Sequence, residues 1–309
     1  MKGSSGSVTF VSMQTKAWIT AFRPRTLPLA LSCIGMGTFL AASLGAFQWD
    51  IFLLCALTTI LLQVLSNLAN DYGDSVNGAD HHGRIGPMRA VQSGEITRTA
   101  MKKALVVFVV LCLTSGIWLL KISLGGNVRA LLFFFGLGIL SILAAIAYTV
   151  GKKPYGYLGM GDFSVLVFFG IVGVLGPLYL FAQTIRWDHL LPALSCGFFS
   201  MGVLNINNIR DMESDRKAGK FSLPVRMGKG RAVAYHWALI GGGLLSATLF
   251  TLINYARPSQ LLFLAAIPFF VRNGVSVSRR PPAELDPLLR QMALSTLLFV
   301  LLFGLGILL

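Results

Sequence analysis

Only 12 acidic residues occur in this chain of 309, and three of them stand in one stretch, N-L-A-N-D-Y-G-D-S-V-N-G-A-D at positions 67–80, directly behind an apolar run. At 100° per residue, Asn67, Asn70, Asp71 and Asp74 fall within an arc of about 100°. Two carboxylates and two amides therefore share one helical stripe. Asp80 would fall on the opposite side of a continued helix. Gly73 and Gly78 argue for a break there, and a turn would bring Asp80 back. A solvated helix end is the bland alternative. Ionisable groups at the end of an apolar helix mark function by default, because each costs about 2.5–3.5 kcal/mol at the centre of a bilayer.

A second stretch repeats the chemistry. Positions 205–220 read N-I-N-N-I-R-D-M-E-S-D-R-K-A-G-K, again at the end of an apolar run. Asn205, Asn208, Asp211 and Asp215 fall within about 120°, and Asp211 and Asp215 stack at i, i+4. Glu213 points away. Clustered carboxylates with amide neighbours suit a hard cation, and Mg2+ uses one or two carboxylates together with substrate phosphates. Proton relay in a transporter is the rival reading.

Basic residues beside the acidic ones favour an anion between them. Arg84 and Arg89 lie in R-I-G-P-M-R, and Lys152 and Lys153 follow Tyr148 in Y-T-V-G-K-K-P-Y. Arg210, Arg216, Lys217 and Lys220 surround the second motif. A diphosphate bridged by Mg2+ and clamped by Arg and Lys accounts for both signs of charge. A cation-coupled transporter has no use for such an excess of cations beside its carboxylates. On this reading Asn67, Asn70, Asp80, Arg84, Arg89, Asn208, Arg210 and Lys220 are the candidate substrate contacts. Asp162, in G-M-G-D-F-S, is either a helix N-cap or a third-site acid. His81 and His82 read as solvated, and His189 and His236 as interfacial.

The elements that position these residues are membrane spans. The chain is 55% hydrophobic and 12% charged, where a soluble protein carries roughly 25% charged residues. Runs long enough to cross a bilayer are read at 26–44, 51–69, 104–120, 130–150, 163–182, 189–208, 232–254, 258–271 and 291–309. The fold class is thus an all-α polytopic membrane protein. Of the 26 basic residues, 22 lie in the N-terminal segment and in alternate loops. That bias places the N-terminus and both acidic motifs in the cytoplasm and the C-terminus outside. The net charge of +14 is a topology signal, which leaves no nucleic-acid partner. Residues 1–15, too weakly apolar for a secretory signal, read as a flexible extension, and 16–309 as a single transmembrane domain. The four cysteines lie within spans without C-x-x-C spacing and read as structural thiols. The glycines at 35–37, 136–138 and 241–243 read as sites of close helix packing.

The paired motifs N-D-Y-G-D and N-I-R-D-M-E-S-D resemble the UbiA superfamily of intramembrane aromatic prenyltransferases. The likeness runs from about Trp18 through nearly the whole chain, taking in F-R-P-R-T-L-P-L-A, R-I-G-P-M-R and Y-T-V-G-K-K-P-Y-G-Y. It implies a nine-helix bundle around one lipid-facing cavity in a bacterial inner membrane. It places the family's metal-binding and catalytic aspartates on Asp71, Asp74, Asp211 and Asp215, and its Tyr-x-x-x-Lys element on Tyr148 and Lys152. The general pattern N-D-x-x-D-x-x-x-D would put its last acid at Gly78, whereas this chain has Asp80. That spacing is similar to the branch whose acceptor is 1,4-dihydroxy-2-naphthoate. The implied partners are a polyprenyl diphosphate, the naphthoate and membrane lipid, with Mg2+ as cofactor. A branch acting on 4-hydroxybenzoate would share the metal motifs. No Ser/His/Asp or Cys/His set is present for covalent catalysis.

Overall fold

The computed structural model describes residues 15–78, 86 and 88–309. Among them nine helices are long and apolar enough to cross a membrane. In chain order they are α1 (Thr15–Ser43), α2 (Trp49–Asn77), α3 (Arg98–Leu124), α4 (Val128–Ala147), α5 (Gly161–Ala182), α6 (Trp187–Arg210), α7 (Lys229–Ile253), α8 (Pro258–Arg279) and α9 (Asp286–Leu308). The eighth span was read to end at 271. It continues to Arg279, with 3₁₀ turns over Pro258–Ala266 and an α-helix from Ile267. The extension read at 1–15 lies, apart from Thr15, outside the described residues.

Side-chain size decides how tightly neighbouring helices approach. In α6–α9 the packing is aromatic: Phe199 stacks on Phe270 with centroids 4.3 Å apart, and Phe299 meets Phe199 edge-on at 5.0 Å. Glycines let these rings in. A Cβ at Gly243 would stand 2.4 Å from Phe199, and one at Gly304 would stand 2.1 Å from Phe39. Apolar solvent gives helices no hydrophobic reason to associate, so such close van der Waals contact is what holds spans together. The close-packing reading of the glycines therefore holds at Gly37, Gly242 and Gly243. It fails at Gly241, and at both glycines of α4, Gly136 and Gly138, where a Cβ would meet nothing within 4 Å.

The failure in α4 marks the loosest part of the bundle. Only Ala130 and Ile142 of α4 are buried, and the helix packs against α2 and α3. Between α4 and α5 the walls separate around a cavity of about 390 Å³, lined by residues of α1–α5 and by Leu204 of α6. Over Leu166–Leu175, α5 is wound as a π-helix, a wider turn that is frequent at functional sites. This segment gives the cavity Phe168, Phe169, Val172 and Gly173. Cys33, Cys55 and Cys112 also line the cavity, and all four cysteines are buried and free.

His236 was read as interfacial, but it is fully buried. It lies two turns inside α7 and its Nε2 shares a hydrogen bond of 3.1 Å with Asn273 of α8.

Candidate active site at the polar end of the cavity

The first motif lies on a helix that does not break where the glycines suggested. The α2 helix runs through Gly73 to Asn77 and is closed by Gly78 at φ 78°, whose amide donates to the Asp74 carbonyl. Glycine serves at 73 because Thr149 crosses there, and a Cβ would lie 2.6 Å from its carbonyl. Thr149 is tied to α2: its hydroxyl donates to the Ala69 carbonyl at 2.9 Å, and its own carbonyl accepts from Asn77 at 2.7 Å. Asn67, Asn70, Asp71 and Asp74 thus keep one stripe, and Asn67 and Asn70 line the cavity. Asp80 and Arg84 lie outside the described residues.

Each member of the stripe has its own partners. Asn67 Nδ2 donates to the Phe22 carbonyl at 2.9 Å and to Thr26 Oγ1 at 3.0 Å, tying α2 to the interruption in α1. At that interruption Arg23, preceding Pro24, takes a left-handed conformation at φ 51°, a sparsely populated region for a side chain of this size. Arg23 and Arg89 both lie within electrostatic reach of Asp71. One oxygen of Asp74 pairs with Arg89, and the other accepts from the Tyr157 hydroxyl at 2.7 Å. Arg89 also donates to the Asn70 carbonyl at 2.9 Å. Asp71 Oδ1 is buried without a hydrogen-bond partner among the described residues.

The second motif is held differently. The α6 helix stops at Arg210, Asp211 adopts φ −95°, ψ 9°, and a new short helix begins at Met212. The i, i+4 stack survives this kink, because the Asp215 amide donates to the Asp211 carbonyl at 2.8 Å. Arg210 was read as a substrate contact, yet its guanidinium is 1% exposed and engaged by the protein. Its Nε and Nη2 grip both oxygens of Asp211 at 2.8 Å, Nη2 also donates to Asn207 at 2.8 Å, and Nη1 pairs with Asp286. Asp286 in turn accepts from Arg25 at 2.9 Å. A bidentate pair of this kind positions a carboxylate as well as neutralising it.

Lys220 pairs with Asp215 Oδ1 at 3.3 Å. Asp215 Oδ2 and Asn208 Oδ1 are buried without hydrogen-bond partners among the described residues. Burial raises the Asp215 carboxyl above the ordinary carboxylate range; Asp211 and Asp74 add to the rise, and Lys220 opposes it. The Tyr157 hydroxyl donates to Asp74, and Lys220, which pairs with Asp215, stands 6.0 Å from the centre of the same ring, so the two motifs approach one another there. Burial likewise raises the Tyr148 hydroxyl, with Asp162, Tyr155, Asp74 and Asp215 contributing.

The structure therefore brings together Asn67, Asn70, Asp71, Asp74, Arg89, Tyr148, Asn208, Arg210, Asp211, Asp215 and Lys220. Lys152 is not in this cluster: it lies exposed in the turn after Tyr148 and no described side chain pairs with it. Asp162 is not an N-cap, since Met160 holds that position. It is buried and accepts from Tyr235 at 3.0 Å. Sequence reasoning missed Tyr157, Arg23 and the Arg25–Asp286 link. Tyr157 had a signal of sorts, being the second tyrosine of Y-G-Y directly before the span that lines the cavity.

Among the described residues no three His, Cys, Asp or Glu side chains form a ready-made metal cage. What they offer is oxygen-only, split between two elements, with Asp71 Oδ1, Asn208 Oδ1 and Asp215 Oδ2 lacking partners. A donor set of one or two carboxylates per ion, completed by substrate phosphates, is the habit of Mg2+ and not of zinc. The residues fit a hard divalent cation bound together with an anionic substrate.

The comparisons with known proteins agree with this geometry. The family model described as the UbiA prenyltransferase family matches residues 30–297. The chain is 47% identical over 295 residues to the 1,4-dihydroxy-2-naphthoate octaprenyltransferase of Escherichia coli (strain K12), covering 95% of this chain and 96% of that protein. It is 37% identical over 289 residues to the protein of the same description from Mycobacterium tuberculosis (strain ATCC 25618 / H37Rv), covering 92% and 94%. A solved UbiA homolog from Archaeoglobus fulgidus, bound to DMAPP and Mg2+, shares the fold with a TM-score of 0.63 at 17% identity, over 94% of this chain and 98% of that one. Nine spans, an apolar cavity reached by Asn67 and Asn70 of the first acidic motif, a second acidic motif linked to the first through Tyr157, and a family match over most of the length lead to one assignment: the chain belongs to the UbiA prenyltransferase family.

Proposed function

We propose that this protein transfers a polyprenyl group from its diphosphate to 1,4-dihydroxy-2-naphthoate, releasing CO2 and diphosphate, with Mg2+ as the divalent ion. The observation that carries the reading is the union of two opposed carboxylate motifs with an apolar cavity. A polyprenyl diphosphate is a lipid with an anionic head, and the site has one region for each. The identity to curated relatives that act on the naphthoate supports the choice of acceptor.

The residues divide the work. Asn67 and Asn70 line the cavity and Asp71 and Asp74 follow them on the same helix, which would set the C1–O bond of the donor beside these amides. Asp71, Asp74, Asp211 and Asp215 would hold Mg2+, which when bound neutralises charge developing on the departing diphosphate. Arg89 and Lys220, each already paired with a motif carboxylate, supply further positive charge facing the head group. Arg210 fixes Asp211 from behind. The ring carbon of the acceptor that bears the carboxylate bonds to C1 of the prenyl group as C1–O breaks. The C–CO2 bond then breaks, its electron pair returns to the ring, and aromaticity is restored. Phe168, Phe169 and the other apolar walls exclude the water that would otherwise capture the prenyl cation.

The 22 basic residues in the N-terminal segment and one set of loops support a cytoplasmic N-terminus and a cytoplasmic site in a bacterial inner membrane, with residues 16–309 acting as one transmembrane unit. Cysteines introduced at the exposed positions Ser93 and Lys217, in a background without native cysteines, should react only with reagent on the cytoplasmic side. A cysteine at Asn127 should react only from outside. Reaction of positions 93 and 217 from opposite sides would separate the two motifs and end the shared-site reading. The activity itself is tested by offering purified protein both aromatic acids with a prenyl diphosphate and Mg2+. Turnover of the naphthoate is expected, and preference for 4-hydroxybenzoate would replace the acceptor.

A further inference from the structure

Tyr157 belongs to neither acidic motif, yet it touches both. It sits in a short 3₁₀ turn, Tyr155–Leu158, between α4 and α5, and is 8% exposed. Its hydroxyl donates to Asp74 Oδ1 at 2.7 Å. The Lys220 ammonium stands 6.0 Å from the centre of its ring while pairing with Asp215 at 3.3 Å. Its carbonyl accepts from the Phe221 amide at 2.9 Å. One residue therefore holds the first motif by its hydroxyl and the second by its ring face and backbone.

The turn is built to allow this approach. A Cβ at Gly156 would lie 2.6 Å from the Tyr148 carbonyl oxygen. Gly159 has φ +79°, and a Cβ there would lie 2.8 Å from the Phe221 carbonyl oxygen. Arg226 adds a hydrogen bond of 2.8 Å to the Leu158 carbonyl. The loop after α4 is thereby pinned to the loop after the second motif, with Tyr157 at the contact.

We propose that Tyr157 is the positioning residue that sets the two carboxylate motifs in register across the head-group site. Two ionised carboxylates on separate helices repel and cannot hydrogen-bond each other. A phenol solves this: its O–H donates to one carboxylate, and the negative face of its ring attracts the ammonium that neutralises the other. The spacing of Asp74 and Asp215 is then set before substrate arrives, which is what a site acting by placement of charge requires. The proposal rests on the functional reading above, and its test separates the two.

Tyr157→Phe keeps the ring against Lys220 and removes only the hydroxyl. Binding of an unreactive prenyl thiodiphosphate should then require about tenfold more Mg2+ for half-saturation, the effect of losing a hydrogen bond to a charged group. Mn2+ binding in the presence of that analogue, followed by electron paramagnetic resonance of the free ion, should weaken to the same degree. The KM for the naphthoate should stay at its original value, and the melting temperature without metal should change by only a few degrees. A merely structural tyrosine gives the reverse pattern: a lower melting temperature with the metal requirement unmoved. Gly159→Ala, which pushes the turn off Phe221 while leaving the hydroxyl in place, should shift the metal requirement in the same direction and covers the case in which Tyr157→Phe does not fold. Unchanged Mn2+ and analogue binding in either variant, while Asp74→Asn loses both, overturns the proposal and leaves the functional reading standing. Unchanged binding in Asp74→Asn as well removes that reading itself.

Discussion

The cavity half of the bundle and the packed half are built from similar apolar residues, yet they behave as different materials. In α6–α9, Gly242, Gly243, Gly274 and Gly304 admit aromatic rings, and Phe199, Phe263, Phe270, Phe299 and Phe303 are wholly buried. In α3 and α4 glycines admit nothing: Gly116, Gly136 and Gly138 have no neighbour within 4 Å where a Cβ would stand. The same residue closes one interface and opens another, depending on whether the facing helix supplies a large side chain. The acidic motifs differ in backbone. Asp71 lies on an unbroken helix whose Asn67 and Asn70 line the cavity, whereas Asp211 lies at a helix break, gripped by a buried arginine. The packed half carries one set of carboxylates, and the loose half holds the cavity.

The largest expected effect would erase this contrast in activity. Asp71→Asn and Asp211→Asn should each lower turnover by roughly 1000-fold, comparable to or beyond the loss of a transition-state charge partner, while each protein stays folded in detergent. Full activity in both would show that the motifs are not the catalytic centre. Next comes the clamp on Asp211. Arg210→Met takes the bidentate arginine from buried Asp211 and leaves Asp286 with Arg25 alone, and breaking a buried pair costs about 3–5 kcal/mol. Thermal unfolding should show that loss, with Arg25→Met costing much less because Arg25 is 39% exposed.

Paired glycine variants sharpen the comparison further. Gly304→Val should lower stability by about 1–3 kcal/mol by overpacking against Phe39, and Gly138→Val should leave it unchanged. Gly138→Phe should instead raise the KM for a long polyprenyl diphosphate while sparing that for a short one. Equal destabilisation by the two valines would mean that the halves pack alike. The smallest expected effect is at Lys152. Exposed and without a partner among the described residues, it should tolerate replacement by Gln with turnover within about twofold, since a solvated charge contributes little.

Much of this was legible in the residues, for definite reasons. Spans are readable because a bilayer demands about 20 apolar residues in a row, and the N/D stripes are readable because helical periodicity is rigid. What escaped was set by tertiary approach. Gly73 reads as a breaker in isolation and is a crossing point for Thr149 in the fold. Arg210 reads as one more cytoplasmic cation and is a buried clamp, because its acceptor Asp286 lies 76 residues away. Tyr157 carries no charge and shares no spacing with either motif, so only the folded loop shows that it joins them. Lys152 was named from the family pattern, and the fold leaves it in solvent, with Lys220 beside Asp215 instead.

The most direct test of the account uses purified protein, Mg2+, a polyprenyl diphosphate and 1,4-dihydroxy-2-naphthoate labelled in its carboxyl carbon. The account predicts that labelled CO2 and diphosphate are released in equal amounts, and that the prenylated product carries no label and oxidises to demethylmenaquinone. Prenylated product that retains the label would place the new bond elsewhere on the ring and contradict it.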